Sequence, residues 1–138
     1  MNFAIVVSEF NEKINSGLLE GAREELKDHD TELFHAPGAF EAPIIAQTLA
    51  KTKKYDGIVC LGSVIKGDTA HFEFISLGAT VGLQQASLQT GVPMAFGILT
   101  VYERAQAEVR SAQDAHNKGR EAALACLKTA SLLSKINS

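Results

Sequence analysis

The chain has 138 residues, of which 46% are hydrophobic and 21% are charged. This composition is that of an ordinary globular protein and excludes the disordered, collagen-like and coiled-coil classes. The net charge is −3 and no basic block occurs, so we expect no nucleic-acid partner. No apolar run approaches the roughly 20 residues of a membrane span, and the start of the chain lacks the pattern of a signal peptide. We therefore expect one cytoplasmic domain, residues 1–138, that acts on small molecules and not at a membrane.

The first half of the chain alternates predicted strands with predicted helices. Residues 3–7 are almost continuously apolar, which is typical of a strand buried on both faces of a parallel sheet. Apolar residues then recur four apart over residues 14–26 and predict an amphipathic helix. Residues 33–36 form a weaker strand, which ends at Pro37-Gly38 before a helical pattern over residues 40–49.

The second half repeats this alternation. Gly57–Ile65 predicts a third buried strand, followed by a turn at residues 66–69 and a helix to about residue 90. Residues 93–99 predict a fourth strand, and helical segments begin near Glu103 and Asn117. Strands that alternate with helices imply right-handed crossovers and parallel pairing. We predict a three-layer α/β/α, flavodoxin-like fold, with a four-stranded parallel sheet and helices on both faces.

Candidate functional residues follow the predicted strands, where ligands bind in open parallel sheets. The turn Gly67-Asp68-Thr69 precedes a helix whose backbone N–H groups could bind a phosphate, although such a turn is commonly just an N-cap. His71 lies in the first turn of that helix, and imidazole suits proton transfer at neutral pH. The alternative is a surface histidine or a hydrogen-bonded core histidine.

Two aromatic residues and a carboxylate allow two interpretations each. Phe10 and Phe40 are either core residues or residues that stack on a flat heteroaromatic ring. Glu41 is favoured by the dipole of its predicted helix, or binds a ligand rich in hydroxyl groups.

The cysteines and the remaining histidines suggest no metal chemistry. Cys60 and Cys126 have apolar neighbours, so buried free thiols are favoured over a disulfide. The other histidines lack the spacing of zinc ligands, so we expect no metal site. They are His29, His35 and His116.

Five stretches carry a family resemblance that covers nearly the whole chain. They are VVSEFN at residues 6–11, PGAFEAP at 37–43, LGSVIKGDTAHFEF at 61–74, GVPMAFGILT at 91–100 and NKGREAA at 117–123. In this order they resemble the 6,7-dimethyl-8-ribityllumazine synthase family of riboflavin biosynthesis. The resemblance implies a transferase that needs no cofactor or metal. The implied reaction condenses 5-amino-6-(D-ribitylamino)uracil with 3,4-dihydroxy-2-butanone 4-phosphate, and it releases phosphate and water.

The resemblance also implies a role for each matching residue. His71 corresponds to the acid/base group beside the phosphate turn, and Phe10 to the ring that stacks on the substrate. Further contacts to the pyrimidine substrate are implied for Ala39, Phe40, Glu41, the backbone of Ser63, Val64 and Ile65, and Phe96 of a neighbouring subunit. Contacts to the phosphate substrate are implied for Asp68, Thr69 and a neighbour's Arg110, with Lys118 and Glu121 near the same pocket.

The quaternary structure and two charge differences complete these expectations. The resemblance implies a homo-oligomer, either a pentamer or an icosahedral shell of about 60 subunits, with riboflavin synthase as a further partner. The first strand begins at Phe3, without the usual N-terminal extension, which favours the free pentamer. Glu9 and Asp114 stand where members of the family usually carry Arg and Lys.

These charge losses motivate a rival function, a non-catalytic protein that binds flavin or lumazine. An unrelated flavodoxin-like phosphosugar enzyme is a second rival. It is disfavoured because it would not need Phe10, Phe40 and Phe96 around one pocket.

Overall fold

The computed structural model describes residues 1–138 and contains one sheet of four parallel strands. Their order across the sheet is β2-β1-β3-β4, and every neighbouring pair is parallel. The predicted fold class is confirmed. The strands are β1 (Asn2–Ser8), β2 (Asp30–Ala36), β3 (Gly57–Ile65) and β4 (Met94–Val101).

Five α-helices cover the two faces of this sheet. α1 and α5 pack against each other on one face, and α2 packs against α3 on the other. None of the five combines the length and the apolar character that crossing a bilayer requires. The helices are α1 (Glu12–Glu25), α2 (Ala42–Lys51), α3 (His71–Thr90), α4 (Arg104–Ser111) and α5 (Lys118–Ile136).

Strand β1 lies in the interior of the sheet and sends alternate side chains into two hydrophobic cores. Phe3 and Ile5 belong to the core beneath α1 and α5, whereas Ala4 and Val6 belong to the core beneath α2 and α3. Successive side chains of a strand point to opposite faces, so a strand covered on both sides must be apolar throughout. This explains the continuous apolar run. The two cysteines are free and buried, as predicted.

Several predicted element boundaries differ from the structure by one to three residues, and two of these differences have a clear physical cause. β2 begins at Asp30, because its first residues pair with β1 from Asn2↔Asp30 onward although they are exposed and polar at the sheet edge. The helix expected from Phe40 begins instead at Ala42, after a single turn of 3-10 helix over Ala39–Glu41. Phe40 is therefore not part of the apolar stripe of α2.

Strand β3 extends beyond the end of its neighbour β1, which leaves a cleft beside the last residues of β3. Pairing with β1 stops at Val7↔Leu61, whereas pairing with β4 continues to Ile65↔Val101. The last residues of β3 therefore have a neighbouring strand on one side only. Because all strands are parallel, the turns that follow them meet at this same end of the sheet.

Candidate functional site

The first cleft lies beyond the ends of β1, β2 and β3 and has a volume of about 510 Å³. It is bounded on its far side by the start of α3. Eight residues singled out from the sequence line it together, namely Phe10, Ala39, Phe40, Glu41, Ser63, Val64, Ile65 and His71. Segments that are distant in the chain thus converge on one cavity, as expected for the carboxyl edge of a parallel sheet.

Phe10 and Phe40 are not core residues. Their exposed fractions are 67% and 57%, which excludes that interpretation for both. Each ring lies against a glycine that leaves room for it: a Cβ atom on Gly38 would lie 3.3 Å from Phe10 Cε2, and one on Gly78 would lie 2.8 Å from Phe40 Cε1. Exposed rings that are supported from behind can stack on a planar ligand.

Glu41 presents a carboxylate with no partner in the chain. It is half-buried at the N-cap of α2, makes no capping hydrogen bond there and forms no ion pair. Its Oε1 atom lies close to Gly38, on the same side as the Phe10 ring. The carboxylate is therefore free to accept hydrogen bonds from a ligand beside Phe10.

His71 is the first residue of α3 and lines the first cleft. It is exposed, and its imidazole makes no hydrogen bond within the chain, so it is not a hydrogen-bonded core histidine.

The turn before α3 is not a side-chain N-cap. The N-cap residue is Ala70, and no side chain, including that of Asp68, accepts a capping hydrogen bond. Thr69 Oγ1 accepts a long bond of 3.4 Å from the His71 backbone N–H. Asp68 and Thr69 are exposed and lie outside the lining of the cleft.

A second cleft of about 480 Å³ runs along the edge strand β4. Its lining shares no residue with the first cleft, so the predicted site residues are divided between two cavities of the chain. In α4, Arg110 Nη1 donates to the carbonyl of Gln106 at 2.9 Å, and in α5 Lys118 pairs with Glu121 at 3.0 Å. The predicted residues in this cleft are Phe96, Arg110, Lys118 and Glu121.

The two unusual acidic residues do not line either cleft. Glu9 lies instead in a neighbouring cavity with Glu12 and His35. Asp114 Oδ1 accepts a hydrogen bond of 2.7 Å from the His116 backbone N–H in the loop between α4 and α5. Neither carboxylate therefore contacts the predicted site residues within the chain.

Two asparagines around the first cleft were not among the predicted site residues. Asn11 adopts a left-handed conformation (φ 58°) and donates from Nδ2 to the Ser63 carbonyl at 3.1 Å. Asn15 is almost completely buried behind the cleft. The available signals were the tolerance of asparagine for left-handed backbone and the position of Asn15 three residues before Leu18 on the apolar stripe of α1.

The sequence was compared with models of known protein families. The sequence model of the 6,7-dimethyl-8-ribityllumazine synthase family matches residues 1–134. The chain belongs to the 6,7-dimethyl-8-ribityllumazine synthase family. The family and the enzyme class predicted from the five stretches are confirmed.

The chain is similar to individual members of the family along nearly its whole length. The chain is 56% identical over 138 residues to 6,7-dimethyl-8-ribityllumazine synthase 1 of Caulobacter vibrioides, an alignment that covers 96% of this chain and 90% of the relative. It is 45% identical over 139 residues to 6,7-dimethyl-8-ribityllumazine synthase of Salinibacter ruber, covering 97% of this chain and 89% of the relative. Nothing in these comparisons favours the non-catalytic rival.

Proposed function

We propose that this chain condenses 5-amino-6-(D-ribitylamino)uracil with 3,4-dihydroxy-2-butanone 4-phosphate to form 6,7-dimethyl-8-ribityllumazine, releasing phosphate and water. The observation that carries the proposal is the first cleft of a family member, where an exposed aromatic ring, an unpaired carboxylate and an unpaired imidazole meet. Each is a group that this chemistry needs.

The pyrimidine substrate occupies the first cleft in this proposal. Phe10 stacks on its ring, Ala39 and Phe40 line it, and Glu41 accepts hydrogen bonds from the ribityl hydroxyls. The backbone of Ser63, Val64 and Ile65 binds the polar edge of the uracil. This role is supported by the end of the β1 pairing at Leu61, which leaves that side of β3 without a neighbouring strand.

His71 moves the protons of the reaction. Imine formation, phosphate elimination and ring closure each transfer a proton, and one imidazole in the cleft can serve them in turn. Its lack of any partner within the chain supports this role, since the ring is free to contact the substrate. The backbone N–H groups of Asp68 and Thr69 and the Thr69 hydroxyl bind the phosphate, close to the N-terminus of α3, whose dipole favours an anion.

We further propose that the site is completed by the second cleft of a neighbouring copy. Phe96 and Arg110 then face the first cleft across the interface, where the guanidinium binds the phosphate, with Lys118 and Glu121 nearby. The separate linings of the two clefts support a head-to-tail contact between copies, which would join the first cleft of one chain to the second cleft of the next. Repetition of that contact gives a closed ring, proposed here as a pentamer, or a shell of about 60 subunits.

An exposed apolar groove between α2 and α3 supports the proposed contact between copies. Its side chains include Ile44, Phe74 and Leu77, which are 62%, 69% and 62% exposed. Exposed apolar residues gathered in one groove are typical of an interaction surface. The groove also includes Phe40 and Glu41 of the first cleft, so a copy docked there would reach the substrate.

A direct assay tests the function. Purified protein is incubated with both substrates, and product is followed by its absorbance and fluorescence. We expect product well above the uncatalysed background, with His71→Ala slower by about ten- to a thousandfold because the reaction also proceeds without acid/base help. Binding of riboflavin without any condensation would favour the non-catalytic rival and contradict the proposal.

Two further proposals concern the cellular setting. We place the enzyme in the cytoplasm, where a reducing environment suits its two free thiols. Riboflavin synthase, the enzyme that uses the product, is its proposed partner. Co-purification of the two from cytoplasmic extract tests both points.

A further inference from the structure

Asn15 is a buried polar side chain of α1 that connects three segments around the first cleft. Its exposed fraction is 2%. Its Nδ2 atom donates to the Ser8 carbonyl at 2.7 Å and also to the Phe10 carbonyl, while its Oδ1 atom accepts from Ser63 Oγ at 2.8 Å. Both amide protons and the amide oxygen are thus used, which fixes the orientation of the side chain.

The segment that carries Phe10 depends on this amide. The Phe10 ring is largely exposed, so side-chain packing alone does not fix its position. The backbone on either side is held by hydrogen bonds: Asn15 binds the carbonyls of Ser8 and Phe10, and Asn11 binds the carbonyl of Ser63. Ser63 is therefore tied to the Phe10 segment through both its hydroxyl and its carbonyl.

We propose that Asn15 is a positioning residue, which sets the distance between the Phe10 ring and the end of β3 and thereby the width of the pyrimidine subsite. This inference rests on the function proposed for the first cleft. A buried amide suits the task because it joins two carbonyl acceptors and one hydroxyl donor without introducing a charge. Neither an apolar side chain nor a carboxylate can make all three bonds.

The first test needs no catalysis. The chain contains no tryptophan, so Phe10→Trp introduces a single indole, which can be excited apart from the two tyrosines, at the segment in question. In that background we expect Asn15→Ala to lower the fluorescence anisotropy of the indole and to increase its quenching by acrylamide. Ile14→Val is the matched control, because Ile14 is equally buried on the same helix but packs in the hydrophobic core. Unchanged anisotropy in Asn15→Ala, or an equal fall in the control, would overturn the proposal.

The second test separates positioning from a general loss of structure. In the otherwise unmodified enzyme, Asn15→Ala should raise KM for the pyrimidine substrate by about tenfold, because the subsite loses its fixed width. KM for the phosphate substrate should stay within about twofold, since Asn15 does not contact the proposed phosphate-binding residues. Asn15→Thr keeps one hydroxyl donor, so its KM for the pyrimidine substrate should lie between that of the unmodified enzyme and that of Asn15→Ala. Equal changes in both KM values would contradict the positioning role of Asn15. Absence of condensation by the unmodified enzyme would instead contradict the proposed function, and the fluorescence test alone would then decide whether Asn15 holds the Phe10 segment.

Discussion

The ring of Phe10 and the carboxylate of Glu41 lie against the same glycine. A Cβ atom on Gly38 would be 3.3 Å from Phe10 Cε2 and 3.1 Å from Glu41 Oε1. The residue has an extended backbone (φ −161°), which any amino acid can adopt, so its small size and not its flexibility matters here. The glycine allows an aromatic ring and a hydrogen-bond acceptor to approach one ligand together.

Gly38→Ala should therefore impair binding without unfolding the protein. The added methyl group must displace the ring, the carboxylate or both by a few tenths of an ångström. We expect KM for the pyrimidine substrate to rise about three- to tenfold, because small misplacements of binding groups are costly. Steady-state kinetics and thermal denaturation of the same samples check this. A variant with normal KM would show that Phe10 and Glu41 do not bind the substrate together.

A second glycine is needed where α1 meets α5. A Cβ atom on Gly119 would lie 2.0 Å from the carbonyl oxygen of Leu18, so Gly119→Ala must push the two helices apart. We expect a loss of about 2 kcal/mol or more in the free energy of unfolding, because overpacking outweighs the roughly 1 kcal/mol that alanine gains in a helix.

Urea denaturation measures this loss, and Gly67→Ala is the control. Nothing lies within 4 Å of a Cβ atom on Gly67, so Gly67→Ala should change the free energy of unfolding by no more than about 0.5 kcal/mol. A stable Gly119→Ala variant would mean that the helices are less closely packed than described. One cooperative transition is also what the predicted single domain requires.

The two thiols should be inert in the native protein. Burial raises the pKa of Cys60 and of Cys126 to about 12 each, so almost no thiolate is present at neutral or mildly alkaline pH. We expect iodoacetamide to leave the native chain unmodified and to alkylate both cysteines in urea, as seen by mass spectrometry. Rapid labelling without denaturant would reveal frequent opening of the core.

Tyr55 should titrate abnormally. Its hydrogen bond to the Glu32 carboxylate, with a smaller effect of burial, raises its pKa to about 12. The protonated phenol is thus favoured by folding, so its contribution to stability is complete below about pH 10 and is lost as the pH rises towards 12. Ultraviolet titration of a Tyr102→Phe background isolates this residue. Glu32→Gln should lower the Tyr55 pKa towards 10, and an unchanged titration curve would exclude the hydrogen bond as its cause.

The sequence predicts this fold well where burial is two-sided. β1 and β3 are recognisable because strands covered on both faces must be apolar. The edge strand β2 was predicted too short, since its exposed first residues Asp30, Thr31 and Glu32 carry no apolar signal and join the sheet only through pairing with β1. Such pairing is a tertiary event that local pattern does not encode.

The residues that line the first cleft could be predicted from the sequence, but the buried residue that holds them in place could not be recognised in the same way. Topology brings the turns after β1, β2 and β3 together, so Phe10, Glu41 and His71 could be grouped from the sequence. Asn15 was missed, although it lies on the apolar stripe of α1, because a polar residue on an amphipathic helix is ordinarily assigned to the solvent side. Its burial depends on the carbonyls of Ser8 and Phe10 at the end of β1.

The division of the site between two copies can be tested most directly by subunit mixing. His71→Ala and Arg110→Ala chains are unfolded, mixed equally and refolded together, and hybrid rings are verified by mass. Random placement around a head-to-tail ring gives about a quarter of the interfaces an intact His71 side and an intact Arg110 side. We expect activity above the mean of the two variants refolded separately. Hybrid rings that stay at that mean would show that His71 and Arg110 act within one chain, contrary to the shared site proposed here.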